Sequence, residues 1–233
     1  MYRYADRSTA ALAKLYLKYF RRIRKDDSDL LELLLLLRSI YNDSYNSLRQ
    51  ALLITASKTY AASRKRILQE AKRLDPNESE ELLNEIVRRL QNDAFWKDDV
   101  IDYIFIDTLL NRVDPVLKYS IRAEIERRQA KNYEALTVST DRRKDANNAA
   151  LELLRISAQA LDNATDEANR KAIEDAGVKY VRWNAILDRK TCAECRSLDG
   201  RIFKLEEAPE KPHPHCRCYL EPVLRRAVSE NDE

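Results

Sequence analysis

The first glycine of this 233-residue chain is Gly177, and Gly200 is the second and last. Only Pro76 and Pro115 precede Pro209. A stretch so poor in chain breakers, and so rich in Leu, Ala, Arg, Lys and Glu, is built to be helical. The punctuation changes after Gly177, where Pro209, Pro212, Pro214 and Pro222 crowd together. A second architecture is expected there.

Apolar spacing places the helices. Residues 8–24 predict a first helix with Ser8 or Thr9 at its cap and Leu12, Leu15, Tyr16 and Tyr19 on one face. The polar break at 26–29 offers Ser28 or Asp29 as the next cap. A long helix follows from Leu30 to about Leu74, with a kink expected near Asn42–Ser44. Leu34, Leu37, Ile40, Tyr41, Leu48, Leu52, Ile54 and Tyr60 are assigned to its apolar face. Asp75-Pro76 and Asp114-Pro115 each pair a cap with a first-turn proline. They predict helices at 77–92 and 115–135, with a buried helix rich in Phe95, Trp96, Tyr103 and Phe105 between them. Thr140 is expected to cap a last helix, 141–176, that Gly177 ends in a left-handed turn. Strands are expected around Val178–Trp183, at 201–204 after the Asp199-Gly200 turn, and at 217–223.

All four cysteines and both histidines lie between Cys192 and Cys218. Cys192-Ala-Glu-Cys195 supplies two thiolates from one tight turn, the arrangement a tetrahedral zinc site uses. His213-Pro-His215-Cys216-Arg-Cys218 adds four more candidates, so six donors compete for four places. Cys192, Cys195 and Cys216 are the firmest. The fourth ligand is His213 or Cys218, and His215, adjacent to Cys216, ranks last. Free thiols and disulfides are the alternatives. A thioredoxin-like redox role is disfavoured because the Cys-x-x-Cys is not expected to open a helix after a βαβ strand. Thiolate-rich sites are closed, so the metal is expected to be structural and no catalytic residue is assigned. A segment of some fifty residues has too small a core to hold without such a staple.

The charge balance is near even, with 42 basic and 39 acidic residues. Such a chain lacks the strong positive field of a dedicated nucleic-acid binder. Basic clusters at 21–25, 64–66 and 142–144 read first as solvated helix faces, with non-specific DNA as the partner they would otherwise fit. No signal peptide is expected, and the Leu33–Leu37 run is far shorter than the ~20 residues a membrane span needs. Neither a membrane nor a small-molecule substrate is expected as a partner.

The residues after 165 carry a resemblance. Trp183, Asp188, Thr191-Cys192, Cys195, Leu198-Asp199-Gly200, Phe203, His213-Pro214, Cys216-Arg217-Cys218 and Pro222 resemble, in order and spacing, the C-terminal signature of the phage Mu F-like minor head protein family. Thr165, Glu167, Asn169 and Ala172 fit the helix leading into that motif loosely, and the first 140 residues match only in helical character. The resemblance implies a minor capsid, or head morphogenesis, protein of a tailed phage or prophage. It implies portal, capsid or scaffold partners during procapsid assembly in the host cytoplasm, residence in the virion, and a link to DNA packaging or ejection.

The fold expected is therefore mainly α, an elongated helical body with a small zinc-stapled, β-containing C-terminal module. Residues 1–140 are expected as the body, 141–176 as a connecting helix, 177–224 as the metal-binding module and 225–233 as a frayed tail. The rival readings are a zinc-dependent nuclease or toxin and a zinc-finger DNA-binding protein. The first wants a His-Asn-His-like pair, a phosphate loop or a convergent acidic cluster. The second wants a basic recognition helix beside the cysteines.

Overall fold

Helix α1, Arg3–Phe20, opens the chain in a computed structural model that describes residues 2–23, 29–73, 84–89, 103–114 and 117–224. It buries Ala5, Leu12, Tyr16 and Phe20, while Leu15 and Tyr19 are half-buried. It starts five residues before the expected cap. Ser8 is no cap because its hydroxyl lies 2.8 Å from the Thr55 hydroxyl instead. Helix α2, Leu30–Ala71, is capped by Asp29, whose carboxylate accepts from the Leu31 N–H at 2.8 Å. It runs as one helix through the expected kink. Leu33, Leu37, Ile40, Tyr41, Leu48 and Leu52 form its buried stripe, but Ile54 is 50% exposed. Two residues turn a helix by about 200°, so Ile54 points away from the face that Leu52 occupies.

Residues 84–89 are helical and bury Ile86. Helix α3 is Tyr103–Asn111, with Ile106 and Leu110 buried and Phe105 half-buried. The Asp75-Pro76 cap, Phe95 and Trp96 lie outside the described residues. The helix expected from 115 instead begins at Ile121 as α4, Ile121–Thr137. Asp114 closes a turn by accepting the Leu117 N–H at 2.9 Å, and Lys118 takes a left-handed φ of 58°. A Val113–Ser120 bridge then carries the chain to Ser120, whose hydroxyl caps α4 through the Ala123 N–H. Helix α5, Arg142–Asp175, is capped by Asp141 rather than Thr140: the Asp141 carboxylate accepts the Lys144 N–H at 3.1 Å. Gly177, at φ +73°, ends it as expected. The Gly177 and Val178 N–H groups return to the Glu174 and Ile173 carbonyls, the paired bonds of a Schellman turn.

The three expected strands form, slightly shortened: β1 Tyr180–Asn184, β2 Ile202–Lys204 and β3 Tyr219–Val223. They make one antiparallel sheet in the order β2-β1-β3. Val181 pairs with Phe203 on one side and Pro222 on the other. Pro222 is tolerated because β3 is an edge strand. The fold is thus mainly helical with a small C-terminal sheet. None of the described helices is long and apolar enough to cross a membrane.

The chain divides into two units. One holds residues 2–55 and 101–164. In its core the Tyr16 hydroxyl donates to the Ser44 carbonyl and pairs with Ser157, Phe20 meets Tyr41 edge-on, and Asn132 donates to the Tyr41 hydroxyl. The other unit holds residues 56–100 and 165–233, and so carries the sheet and every cysteine. Within it, small buried residues of α5 (Ala168 and Ala172) and Ala176 just after it let neighbouring segments approach closely. Polar bonds add direction: Tyr60 donates to Asp175 at 2.7 Å, Ser63 donates to Asn169 at 2.8 Å, and Asn169 donates to the Leu220 carbonyl at 2.9 Å.

Candidate metal centre

The loop after β1 prepares the first half of the centre. Asp188 accepts the Lys190 N–H, and the Thr191 hydroxyl accepts the Asp188 N–H while donating to the Ile186 carbonyl. Arg196 donates to the Asp188 and Thr191 carbonyls, clamping the loop from the far side. Cys192 follows as the N-cap of a short helix, α6, Ala193–Leu198, and its sulfur accepts the Cys195 N–H at 3.3 Å. Contrary to expectation, the Cys-x-x-Cys does open a helix. The strand before it nonetheless belongs to an antiparallel sheet, so the βαβ setting of a redox motif is not met. Asp199 accepts the Ala185 N–H at 2.7 Å, and Gly200, at φ +77°, turns the chain into β2.

The second half comes from the turn before β3. His215 takes a left-handed φ of 56°, uncommon for a residue with a side chain, and so folds the segment back on itself. It is exposed and lies outside the two donor groups. Cys216 and Cys218 are buried with Cys195 around Trp183, which packs on the centre as a lid of apolar surface. Arg217, between them, bonds across to Asp188 and ties the two halves together.

The ligand atoms converge as two groups that share Cys195. Cys192, Cys195 and His213 form one, Cys195, Cys216 and Cys218 the other, and in each the atoms lie within 4.8 Å of one another. Cys195 Sγ is 3.4 Å from Cys216 Sγ and 3.5 Å from His213 Nε2. Tetrahedral zinc, with bonds of about 2.3 Å to sulfur and 2.0 Å to nitrogen, sets ligand edges of roughly 3.5–3.8 Å. The donor set therefore fits a soft or borderline divalent ion. His213 Nδ1 lies 2.9 Å from the Pro214 carbonyl. As donor there, it leaves Nε2 with its lone pair toward Cys195, the outer bond that orients metal-bound histidines.

Electrostatics favour a cation. Burial, then the Cys192, Cys216 and Cys218 sulfurs, push the Cys195 thiol far above the ordinary cysteine range. Burial also raises Cys218. Cys192 is lowered, chiefly by the Cys195 N–H it accepts. Hydrogen bonding from Cys195 and from the buried Trp183 indole N–H offsets part of the rise at Cys218. A divalent ion would supply the positive charge that so many crowded sulfurs need in order to ionise. The cluster opens to solvent between Ile186, Lys190, Thr191 and the two histidines, which gives an ion a way in.

Two contributors lie outside the cysteine and histidine pattern. Lys211 donates to the Cys216 carbonyl at 2.8 Å and pairs with Asp166 of α5 at 2.6 Å, fastening the ligand turn to the helix. Asn169 holds β3 through Leu220, two residues past Cys218. Both depend on partners about fifty residues away in the chain or nearly so, which no local pattern reveals.

A family model described as Phage Mu protein F like protein matches residues 120–221, a span that takes in all of these donors. No curated protein and no solved structure matches the chain. Over residues 120–221, from α4 through the metal centre into β3, this chain is similar to the phage Mu protein F like family.

Proposed function

We propose that this protein is a minor capsid, head morphogenesis protein of a tailed phage or prophage that associates with the portal during procapsid assembly. The observation that carries the reading is the family match running through a cluster of five soft donors. The centre acts as a staple, and the protein is not an enzyme: its own side chains are enough to close a tetrahedron, leaving no position for substrate or water. Residues 1–140 serve as the helical body, 141–176 as the connecting helix and 177–224 as the stapled module. The two helices that feed the module's unit, α2 and α5, supply the amphipathic surface for protein partners. The test is co-expression with the portal protein of the same phage, followed by purification on a tag carried by the portal. Copurification at a fixed ratio is expected, and repeated failure in a reconstituted head-assembly system would overturn the reading.

The ion proposed is zinc, held by Cys192, Cys195, His213 and Cys216. His213 takes the fourth place because it lies within reach of both Cys192 and Cys195 and its other nitrogen is already satisfied. Cys218 then remains a buried thiol beneath Trp183. Cobalt substitution separates the two sets. Three sulfurs and one nitrogen give d–d bands at shorter wavelength than four sulfurs, and the bands should survive Cys218→Ala but not His213→Ala. The opposite pattern would give the fourth place to Cys218.

A further inference from the structure

We propose that the free edge of β2 pairs with β2 of a second copy of this chain, antiparallel about Phe203, to give one continuous sheet, β3-β1-β2-β2-β1-β3. Backbone polarity defines the edge. Trp183 donates to the Arg201 carbonyl and Leu205 to the Lys179 carbonyl, and Phe203 lies opposite Val181. Residues of an antiparallel strand bond alternately to one side and the other, so Ile202 and Lys204 hold their N–H and C=O groups away from β1. These groups have no hydrogen-bond partner among the described residues. Ile202 is 40% exposed, Lys204 is exposed, and nothing lies within 4 Å of the place a Gly200 Cβ would take. Arg170 donates to the Leu205 carbonyl and so ends the free edge beyond Lys204.

One register uses every free group. With Phe203 opposite Phe203 of the second copy, Ile202 of each chain faces Lys204 of the other, and the two exchange N–H and C=O bonds. Centring the pairing on Ile202 would set Lys204 against Gly200, whose N–H is already held by the Trp183 carbonyl. Centring it on Lys204 would set Ile202 against Glu206, which lies in the 3-10 turn Leu205–Glu207.

The side chains suit a second copy. Phe203 meets Phe203 at a closely spaced, non-hydrogen-bonded position, where aromatic pairs stabilise a sheet. Antiparallel pairing also carries Arg201 of each chain alongside Leu205–Glu207 of the other. Arg201 lies over its own Phe203 ring at 5.3 Å, and neither Arg201 nor Glu206 has an ion-pair partner among the described residues. Opposite charges therefore meet at both ends of the seam. Lysine on an edge strand usually keeps copies apart, but Lys204 is held by Glu207 at 3.4 Å. A strand of 3 residues makes a short seam, so the association is weak, with a Kd on the order of 100 µM. The inference rests on β2 alone and is independent of the portal reading.

The test is sedimentation equilibrium of the full-length, metal-loaded protein from ~10 µM to ~1 mM, a range that brackets such a Kd. The parent is expected to approach a dimer. Lys204 has a φ of −63°, which proline shares, and its N–H points away from β1, so K204P removes only the outward donor. It should weaken association at least about tenfold, while K204Q stays within about twofold of the parent. R201E and E206R should each self-associate poorly, and an equimolar mixture should recover the dimer because both seam ends are again oppositely charged. Circular dichroism and metal content check the fold of each variant; should K204P fail that check, the mixture decides. A parent that stays monomeric at the highest concentration would leave the edge to a strand of another protein and overturn the proposal. So would K204P associating like the parent, or a mixture associating no better than its components.

Discussion

Stripping the metal from the purified protein, or replacing Cys195 by Ser, is expected to unfold residues 178–224. Cys195 belongs to both donor groups, so its loss removes a ligand and also the thiol that links the two halves of the site. The module's own core is small. Trp183, Cys195, Cys216 and Cys218 are its buried centre, with Ala185, Cys192, Leu198, Phe203 and Leu220 packed around them. Most of those side chains are the ligands or their neighbours, so losing the ion leaves little apolar surface to hold three short strands. Structural zinc sites in small peptides contribute on the order of 10–16 kcal/mol of apparent binding free energy, far more than such a core can replace. Amide protection in β1, β2 and β3 should fall to that of an unfolded chain, and Trp183 emission should shift to the red. The Tyr16–Ser157 and Asn132–Tyr41 bonds belong to the other unit, so protection in α1 and α4 should persist. About one zinc per chain is expected before stripping. A metal-free protein with native protection across β1–β3 would refute the staple.

The six candidate donors of this centre are legible in the sequence because cysteine spacing is local: two cysteines separated by two residues on a turn make a ligand pair wherever they occur. Gly177 is legible for the same reason, since a helix end favours a left-handed residue and the chain has only two glycines. The features that escape the sequence share the opposite character. The start of α1 is hidden because Tyr2 caps it without a side-chain bond, while the cap-competent Ser8 is engaged forty-seven residues away. The delay of α4 to Ile121 depends on a left-handed Lys118, a conformation the residue type does not advertise. Thr140 and Asp141 are both able caps, and only the backbone path chooses between them. The same holds within the site, where the left-handed His215 sets the turn.

Replacing Asn169 by Leu is expected to cost about 2–4 kcal/mol of stability in the unit that carries the module. Asn169 is 2% exposed and uses both ends of its amide. Its oxygen accepts from Ser63 of α2, and its nitrogen donates to the Leu220 carbonyl of β3. Leucine keeps the branched outline and the same number of heavy atoms, so little of the loss would come from a cavity. It would come from stranding the Ser63 hydroxyl and the Leu220 carbonyl away from water, each at roughly 1–3 kcal/mol. The partners can be separated by a double-mutant cycle. Ser63→Ala should destabilise the parent by about 1 kcal/mol and the Asn169→Leu variant by close to nothing, because the hydroxyl it removes is already unpaired there. Urea denaturation of the zinc-loaded protein measures all four states. Because Leu220 lies two residues after Cys218, slackening its tether should also speed the transfer of zinc to a chelator, whereas Ser63→Ala alone should leave that rate near the parental value. A parental urea midpoint for Asn169→Leu would mean that α2, α5 and β3 are held together by apolar packing alone.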